Sequence, residues 1–348
     1  MKFALATLSL CLSLHSAYGC IEDYVMEAIF APKPTSAIAV VDMNDFYDAE
    51  KQEQFLDTLS HAMTTTGFFA VRNTGVNRDI TKAAYKEAAL FFKGDSDLKT
   101  SCSNLSGGQR GFTPGERAKG KQEKDFKEFF TVGPDLSPEA MAKFGLFENV
   151  WPEGQPEFKQ SMTAIYNELN QYTRPLLQAI VAVINKNATT KLEEDHLYDM
   201  TVGGDTLLRA LYYPAIDKLD KRKPLFWAAE HTDINFLTIL PHATAKGLQV
   251  LIDGKWQDVI VPEDAFVINI GDKLQHLTNG LFVSSRHRVL AEKQGYERFS
   301  MVYFVHPAND VWLTPLESCI AQTGGVQKYS ASTSLELLWE RLLELNLA

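Results

Sequence analysis

The sequence predicts a mixed α/β (α+β) chain with a jelly-roll core (a double-stranded β-helix), an N-terminal region of helices and strands, and supporting helices. Three observations predict it. From Thr206 onward the chain breaks into short runs of β-formers: TLLRALYY, NFLTILP, GLQVLI, AFVINI, SSRHRVL and RFSMVYFVH. Turn signals separate them at Asp253-Gly254, Pro262 to Asp264, Gly271-Asp272 and Asn279-Gly280. Many short strands without intervening helices indicate a sandwich or barrel, and a jelly roll is the version that gathers ligands from distant strands around one cavity. Upstream, Phe158, Met162, Ile165, Leu169, Tyr172, Leu176, Ile180 and Val183 recur at three-to-four spacing, the signature of one long helical face. Before that, residues 46 to 93 read helix, strand, helix.

Taken in order, the chain opens with Lys2, an apolar run from Phe3 to Leu14, and Ala17-Tyr18-Gly19 before Cys20. That is the layout of a signal peptide over residues 1–19, and the run is too short to span a bilayer as a helix. Export, periplasmic or secreted, is therefore expected, with a cytoplasmic product started at Met26 as the alternative. No later stretch is long and apolar enough for an integral membrane segment. Residues 37–150 form the N-terminal region, in which FLDTLSHAM and AAYKEAALFF carry helical spacing and GFFAVRN reads as a buried strand. SGGQRG at 106 to 111 lacks the Lys-Ser/Thr of a phosphate-cradling loop and is expected to carry Arg110 towards the pocket. Residues 151–348 hold the long helix, which Pro175 should kink or divide, the jelly roll, and a final helix in LELLWERLLEL whose apolar residues should cap the barrel.

Composition narrows the classes of function. A chain of 348 residues, 45% of them hydrophobic, can bury a full core. Its net charge of −10 argues against nucleic acid, because phosphate binding needs a basic face. The most basic run, KLDKRK at 218 to 223, reads as a solvated loop between strand-like segments. Cys102 and Cys319, the two cysteines well inside the chain, make no disulfide framework, and no CxxC pair offers a zinc site.

The chemistry concentrates in HTDINFLTIL at 231 to 240. On a strand, His231 and Asp233 would share one face. His287, in SRHRVL, is the best candidate for a third ligand, with His276 as runner-up. Arg286 and Arg288, flanking His287, should point to the opposite face. An H-x-D triplet alone is common, but two imidazoles and one carboxylate on one face of an ion leave positions open, which points to non-haem Fe(II) enzymes that activate oxygen. A structural zinc site would instead be closed by four ligands.

Further motifs follow: NGLFVSSRHRV at 279 to 289, Arg298 and Ser300 as R-x-S, then Phe304 and Pro307. With IAVVDMNDF, GFFAVRNTGV, RGF, DFKEFF, NVWP, RALYYP and GLQVL in order, the chain resembles the 2-oxoglutarate/Fe(II)-dependent oxygenases, in the branch that includes isopenicillin N synthase and the plant dioxygenases. The resemblance covers roughly residues 37 to 348. Thr74 departs from the family's usual His, and Leu211 is apolar where plant members often carry Asn.

The resemblance implies that His231, Asp233 and His287 hold Fe(II). It implies that Arg298, Ser300 and Tyr213 bind the cosubstrate 2-oxoglutarate, Arg298 through a bidentate pair with the distal carboxylate. The implied activity is a dioxygenase that uses O2 to oxidise a small organic molecule by hydroxylation, desaturation or ring closure, releasing succinate and CO2. Arg110, Phe112, Phe129, Phe236 and Phe304 are the expected substrate-facing residues. Two alternatives stay open: an isopenicillin N synthase-like oxidase that takes no 2-oxoglutarate, and an exported jelly-roll binding protein without turnover.

Overall fold

The strands form two sheets in a computed structural model that describes residues 37–103, 109–115, 126–216, 225–291 and 294–344. The expected leader at 1–19, the loop at 218–223 and most of the glycine-rich turn at 106–108 lie outside the described residues. In chain order the strands are β1 (Ala39–Asp42), β2 (Phe68–Arg72), β3 (Gly111–Thr113), β4 (Glu128–Val132), β5 (Leu207–Tyr213), β6 (Phe226–His231), β7 (Leu237–Leu240), β8 (Leu248–Ile252), β9 (Lys255–Asp258), β10 (Phe266–Ile270), β11 (His287–Leu290) and β12 (Arg298–Val305). The larger sheet runs β1-β2-β10-β7-β12-β5-β4-β3 and the smaller β6-β11-β8-β9, with every neighbour antiparallel except β1 and β2. Both regions read from the sequence contribute strands to the larger sheet, and the fold is the mixed α/β jelly-roll architecture that the strand pattern predicted.

The helices are α1 (Met43–Tyr47), α2 (Gln52–Thr65), α3 (Arg78–Phe92), α4 (Ser96–Ser101), α5 (Pro138–Phe144), α6 (Pro156–Lys186), α7 (His196–Asp199), α8 (Asp272–Leu277), α9 (Glu317–Gln322) and α10 (Ser334–Glu344). Asn77 caps α3 by accepting from the Asp79 N–H, leaving its apolar stripe free to pack. The main core lies between α2, α3 and α6 and the outer face of the larger sheet, where Met301, Tyr303 and Val305 point. Their alternating neighbours face inward, where Phe129, Leu211, Tyr213, Trp227, Val289 and Val302 form a smaller apolar cluster inside the barrel.

Pro175 does not divide the long helix, since α6 is continuous over 31 residues. The magnitudes explain it. A proline in a helix interior costs about 3 kcal/mol, while each fully buried Leu, Ile or Met contributes about 1.5–3 kcal/mol. Met162, Ile165 and Leu169 before the proline, and Leu176, Leu177, Ile180 and Ile184 after it, are all buried. Breaking the helix would expose one of these sets.

Close approach fixes the connection from β10 to α8. A Cβ on Gly271 would sit 2.1 Å from the Asn235 carbonyl oxygen, so only glycine lets this turn press against the loop after β6. The Asp272 N–H then donates to the Asp233 carbonyl at 2.7 Å, which ties α8 to the metal-candidate loop. Asp253 and Gly254 (φ 48° and 72°) turn β8 into β9 as the dipeptide predicted. Cys102 and Cys319 are buried free thiols. Among the described residues no helix is long and apolar enough to cross a membrane.

Candidate active site

His231, Asp233 and His287 converge, each offering one ligand atom within 4.8 Å of the others. His231 ends β6 and His287 begins β11, and the two are cross-strand partners with ring centroids 4.3 Å apart. Asp233 is not on the strand, as the two-residue spacing had suggested, but in the loop just beyond it. That loop turns the carboxylate back so that Oδ1 lies 3.7 Å from Nε2 of both histidines.

Hydrogen bonds leave these three atoms pointing at one another. His231 Nδ1 is 2.7 Å from the Ala229 carbonyl and His287 Nδ1 is 3.2 Å from that of Ser285, so each ring donates there and keeps its Nε2 lone pair. Asp233 Oδ2 accepts from Thr238 Oγ1 at 2.6 Å and Asn269 Nδ2 at 3.0 Å, which frees Oδ1. Burial would raise the Asp233 carboxyl, but the two imidazoles, His287 foremost, and these two hydrogen bonds outweigh it and hold the group below the usual range. Burial, then the neighbouring His287, lowers the His231 imidazole to about 4. The His231 side chain is 42% open to solvent, which moderates the first cause. Neutral imidazoles beside an ionised carboxylate are the protonation states that a metal needs.

Arg298, Ser300 and Tyr213 stand together on the barrel-facing side of the larger sheet, whereas His231 and His287 belong to the smaller sheet. Arg298 pairs with Tyr213 across β12 and β5, and its guanidinium lies 5.0 Å from the Tyr213 ring centre. Arg298 is 3% exposed, its Nε donates to the Ala245 carbonyl, and its Nη1 has no hydrogen-bond partner. A cavity of about 320 Å³, lined by Arg298, Ser300, Leu240, Leu248 and Val267 among others, reaches this guanidinium. It opens on the Arg298 side of the barrel rather than at the triad. The donor set and the orphaned Nη1 fit the two groups that the motifs implied: a divalent metal at the triad and a dicarboxylate reaching back to Arg298.

Other expectations need correction. Arg110 does not face the pocket: its guanidinium bonds the Asp205 carboxylate at 2.6 Å and the Phe147 carbonyl, fully buried. Phe112 and Phe236 belong to the main core, because their strand and loop positions point outward from the barrel. Phe129 and Phe304 do face inward. His276 is no ligand, since its Nε2 lies 2.8 Å from the Ser330 carbonyl and its ring packs on Tyr329. Arg286 and Arg288 point away from the site as expected, Arg288 lying 3.9 Å over the Trp256 ring.

The sequence reading missed Thr238 and Asn269, although both are polar residues at inward positions of strands β7 and β10. It also missed Arg341 on α10, which donates to Thr232 Oγ1 at 2.8 Å and pairs with Asp272. Polar residues inside otherwise apolar strand runs were the available signal for the first two. Nothing in the sequence signalled the third.

The comparisons agree with this geometry. Residues 204–307 match the 2OG-Fe(II) oxygenase superfamily, and residues 38–154 match the non-haem dioxygenase in morphine synthesis N-terminal family. A 2-oxoglutarate-dependent dioxygenase, citB, of Monascus ruber is 29% identical over 285 residues, covering 78% of this chain and 84% of that one. A 2OG-Fe(II) oxygenase family protein of Caulobacter crescentus, solved as a crystal structure, is 34% identical with a TM-score of 0.77, covering 89% of this chain and 99% of that one. The full-length T7H of Neurospora crassa in complex with alpha-KG shares the fold at 24% identity and a TM-score of 0.77, covering 90% and 97%. Two family matches spanning most of the chain, a relative solved at 34% identity and a facial two-histidine, one-aspartate cluster give one conclusion: the chain belongs to the 2OG-Fe(II) oxygenase superfamily.

Proposed function

We propose that the protein is an Fe(II)- and 2-oxoglutarate-dependent dioxygenase in which His231, Asp233 and His287 hold Fe(II) and Arg298, Ser300 and Tyr213 seat 2-oxoglutarate. Its substrate is a small organic molecule, oxidised by hydroxylation, desaturation or ring closure with release of succinate and CO2. The observation that carries the reading is Arg298: a buried cation with an unpartnered Nη1, on the barrel-facing side of the larger sheet, while the two histidines of the triad stand on the smaller sheet. A buried charge left unpaired costs several kcal/mol, so the position calls for an anion.

When bound, Fe(II) supplies the oxygen activation that no side chain provides, coupled to oxidative decarboxylation of 2-oxoglutarate. The protein's part is positional. Asp233 Oδ1 and the two Nε2 atoms would hold the metal, and three protein donors rather than four would leave it open to further ligands. Thr238 and Asn269 fix the Asp233 rotamer through Oδ2. Arg298 and the Ser300 hydroxyl set the reach of the cosubstrate, and the Tyr213 ring walls its side.

The test is to add 2-oxoglutarate to the Fe(II)-loaded protein under nitrogen, then admit oxygen. A visible charge-transfer band and slow succinate release without substrate are expected. An isopenicillin N synthase-like oxidase would pair Arg298 with a substrate carboxylate instead, and would give neither signal. We further propose that residues 1–19 are removed on export, which the order of charge, apolar run and small residues supports. A native N-terminus at Cys20 is expected. An intact Met1 or a Met26 start would overturn that cleavage.

A further inference from the structure

The strand that carries Arg298 and Ser300 is flanked unequally. β12 pairs with β5 from Arg298 to Phe304, but with β7 over Tyr303 to Val305. β7 ends at Leu240, and Pro241 after it has no N–H with which to extend the ladder. Among the described residues no strand covers the β7 side of Arg298 to Val302. The backbone groups along that edge need other partners.

Thr244, in the loop after β7, supplies two of them. Its N–H donates to the Phe299 carbonyl at 3.0 Å, and its Oγ1 accepts from the Phe299 N–H at 2.8 Å. The hydroxyl takes the place that a neighbouring strand's carbonyl would hold, so one residue stands in for a strand pair. Farther along the same edge, the Met301 N–H donates to the Tyr85 hydroxyl on α3 at 3.1 Å. The Phe299 ring stacks on Tyr212 with centres 4.9 Å apart, so its backbone and side chain are both fixed. Ala245, beside Thr244, accepts from Arg298 Nε at 3.1 Å. Arg298 and Ser300, on either side of Phe299, line the cavity that Thr244 and Ala245 also wall.

Resting on the dioxygenase reading above, we propose that Thr244, supported by Tyr85, is a positioning residue for the cosubstrate: it pins the edge of β12 so that Arg298 and Ser300 meet the distal carboxylate at one fixed reach from the metal. The bonds of both residues go to the strand's backbone, so they act through Arg298 and Ser300. A bidentate guanidinium–carboxylate pair is sensitive to displacement, because both N–H···O bonds must stay in line. With the edge unpinned, the binding-ready strand becomes one of several arrangements, and apparent affinity falls with its population. Selection by length falls too. A guanidinium held in place rejects a 2-oxo diacid one carbon longer, whereas one on a loosened strand gives way.

The experiment loads the full chain with Fe(II) under nitrogen and follows the charge-transfer band on titration with 2-oxoglutarate or with 2-oxoadipate. Thr244→Val keeps the shape and the N–H but removes the hydroxyl, and Thr244 is exposed, so the change disturbs no core packing. Its Kd for 2-oxoglutarate is expected to rise roughly three- to tenfold, the range for one ordinary hydrogen bond, and its preference over 2-oxoadipate to shrink about threefold or more. Thr244→Ser should restore both. Tyr85→Phe should reproduce both changes more weakly, and it carries the test if the valine variant misfolds. Iron affinity and substrate-free succinate release at saturating 2-oxoglutarate should stay within about twofold, because the metal ligands lie apart from this edge. In metal-free protein, amide exchange over residues 298–302 should quicken in Thr244→Val, a readout that needs no ligand. An unchanged Kd in Thr244→Val, an equal loss in Thr244→Ser, or iron binding that weakens in step would overturn the positioning role. Absence of any band in the wild-type protein would sink the dioxygenase reading itself, whereas a normal wild-type band beside an unaltered variant sinks the positioning role alone.

Discussion

The two oxygens of Asp233 have separate tasks, and substitutions around them should separate accordingly. Asp233→Ala or His287→Ala removes one of three metal donors, so Fe(II) should be lost while circular dichroism stays native; His276→Ala should bind iron normally. Iron stoichiometry on anaerobically reconstituted protein decides this, and full occupancy in His287→Ala would refute the ligand set. Thr238→Val keeps all three ligands but removes the 2.6 Å bond to Oδ2. Loss of such an outer hydrogen bond typically costs about 10–100-fold in metal affinity, and that is the expected fall. The difference in legibility has the same cause. A metal demands particular residue types, so HTD and SRHRV could be read from the sequence, whereas a hydroxyl or amide that steadies a carboxylate can come from any inward strand position. Arg110 misled for the opposite reason, since its partner Asp205 stands 95 residues away and no local pattern links them.

At the scale of elements, α8 and α10 form a lock beside the site. Lys273 on α8 is 1% exposed and donates to Ser334 Oγ at the start of α10, while Arg341 near its end pairs with Asp272. The apolar residues of α10 were expected to cap the barrel; Leu337 does pack against the main core, but Leu335, Trp339 and Leu343 are exposed, and polar contacts also tie the helix to the metal loop. Hydrophobic periodicity marked the helix but not the face that it would present. Burial lowers the Lys273 ammonium to about 7. The unfolded chain keeps this lysine protonated to about pH 10.4, so above pH 7 the unfolded state binds more protons and stability rises with pH. The usable window ends near pH 9, where the raised Cys319 thiol and buried tyrosines act in the opposite sense. Urea midpoints of metal-free protein should therefore climb between pH 7 and 9, and Lys273→Met should flatten that climb. An equal slope in the variant would show that Lys273 is not the group responsible.

For the molecule as a whole, the barrel was legible because alternation, turn dipeptides and the long α6 stripe all specify the same layers. The joining of residues 37–150 to the same sheet was not legible, because strand pairing between distant segments leaves no periodic trace. The β10 partner of β2, for instance, lies almost 200 residues downstream. This shared sheet makes ligand binding inside the barrel a property of the entire fold. In the proposed binding mode 2-oxoglutarate would join the triad, set at the ends of β6 and β11 and in the loop after β6, to Arg298 on β12, whose neighbour β5 also pairs with β4, so it would bind the native state and not the unfolded chain. At about 100 times its dissociation constant such a ligand stabilises the fold by about 2.7 kcal/mol, a rise of roughly 5–11 °C in melting temperature at 2–4 °C per kcal/mol. That rise should appear in metal-loaded protein and shrink when a chelator has removed the metal. It should nearly vanish in Arg298→Gln, where losing one partner of a buried charge pair costs about 2–5 kcal/mol of binding. Iron content in Arg298→Gln should match wild type. A full thermal shift in that variant would remove Arg298 from the cosubstrate site even if succinate is still formed.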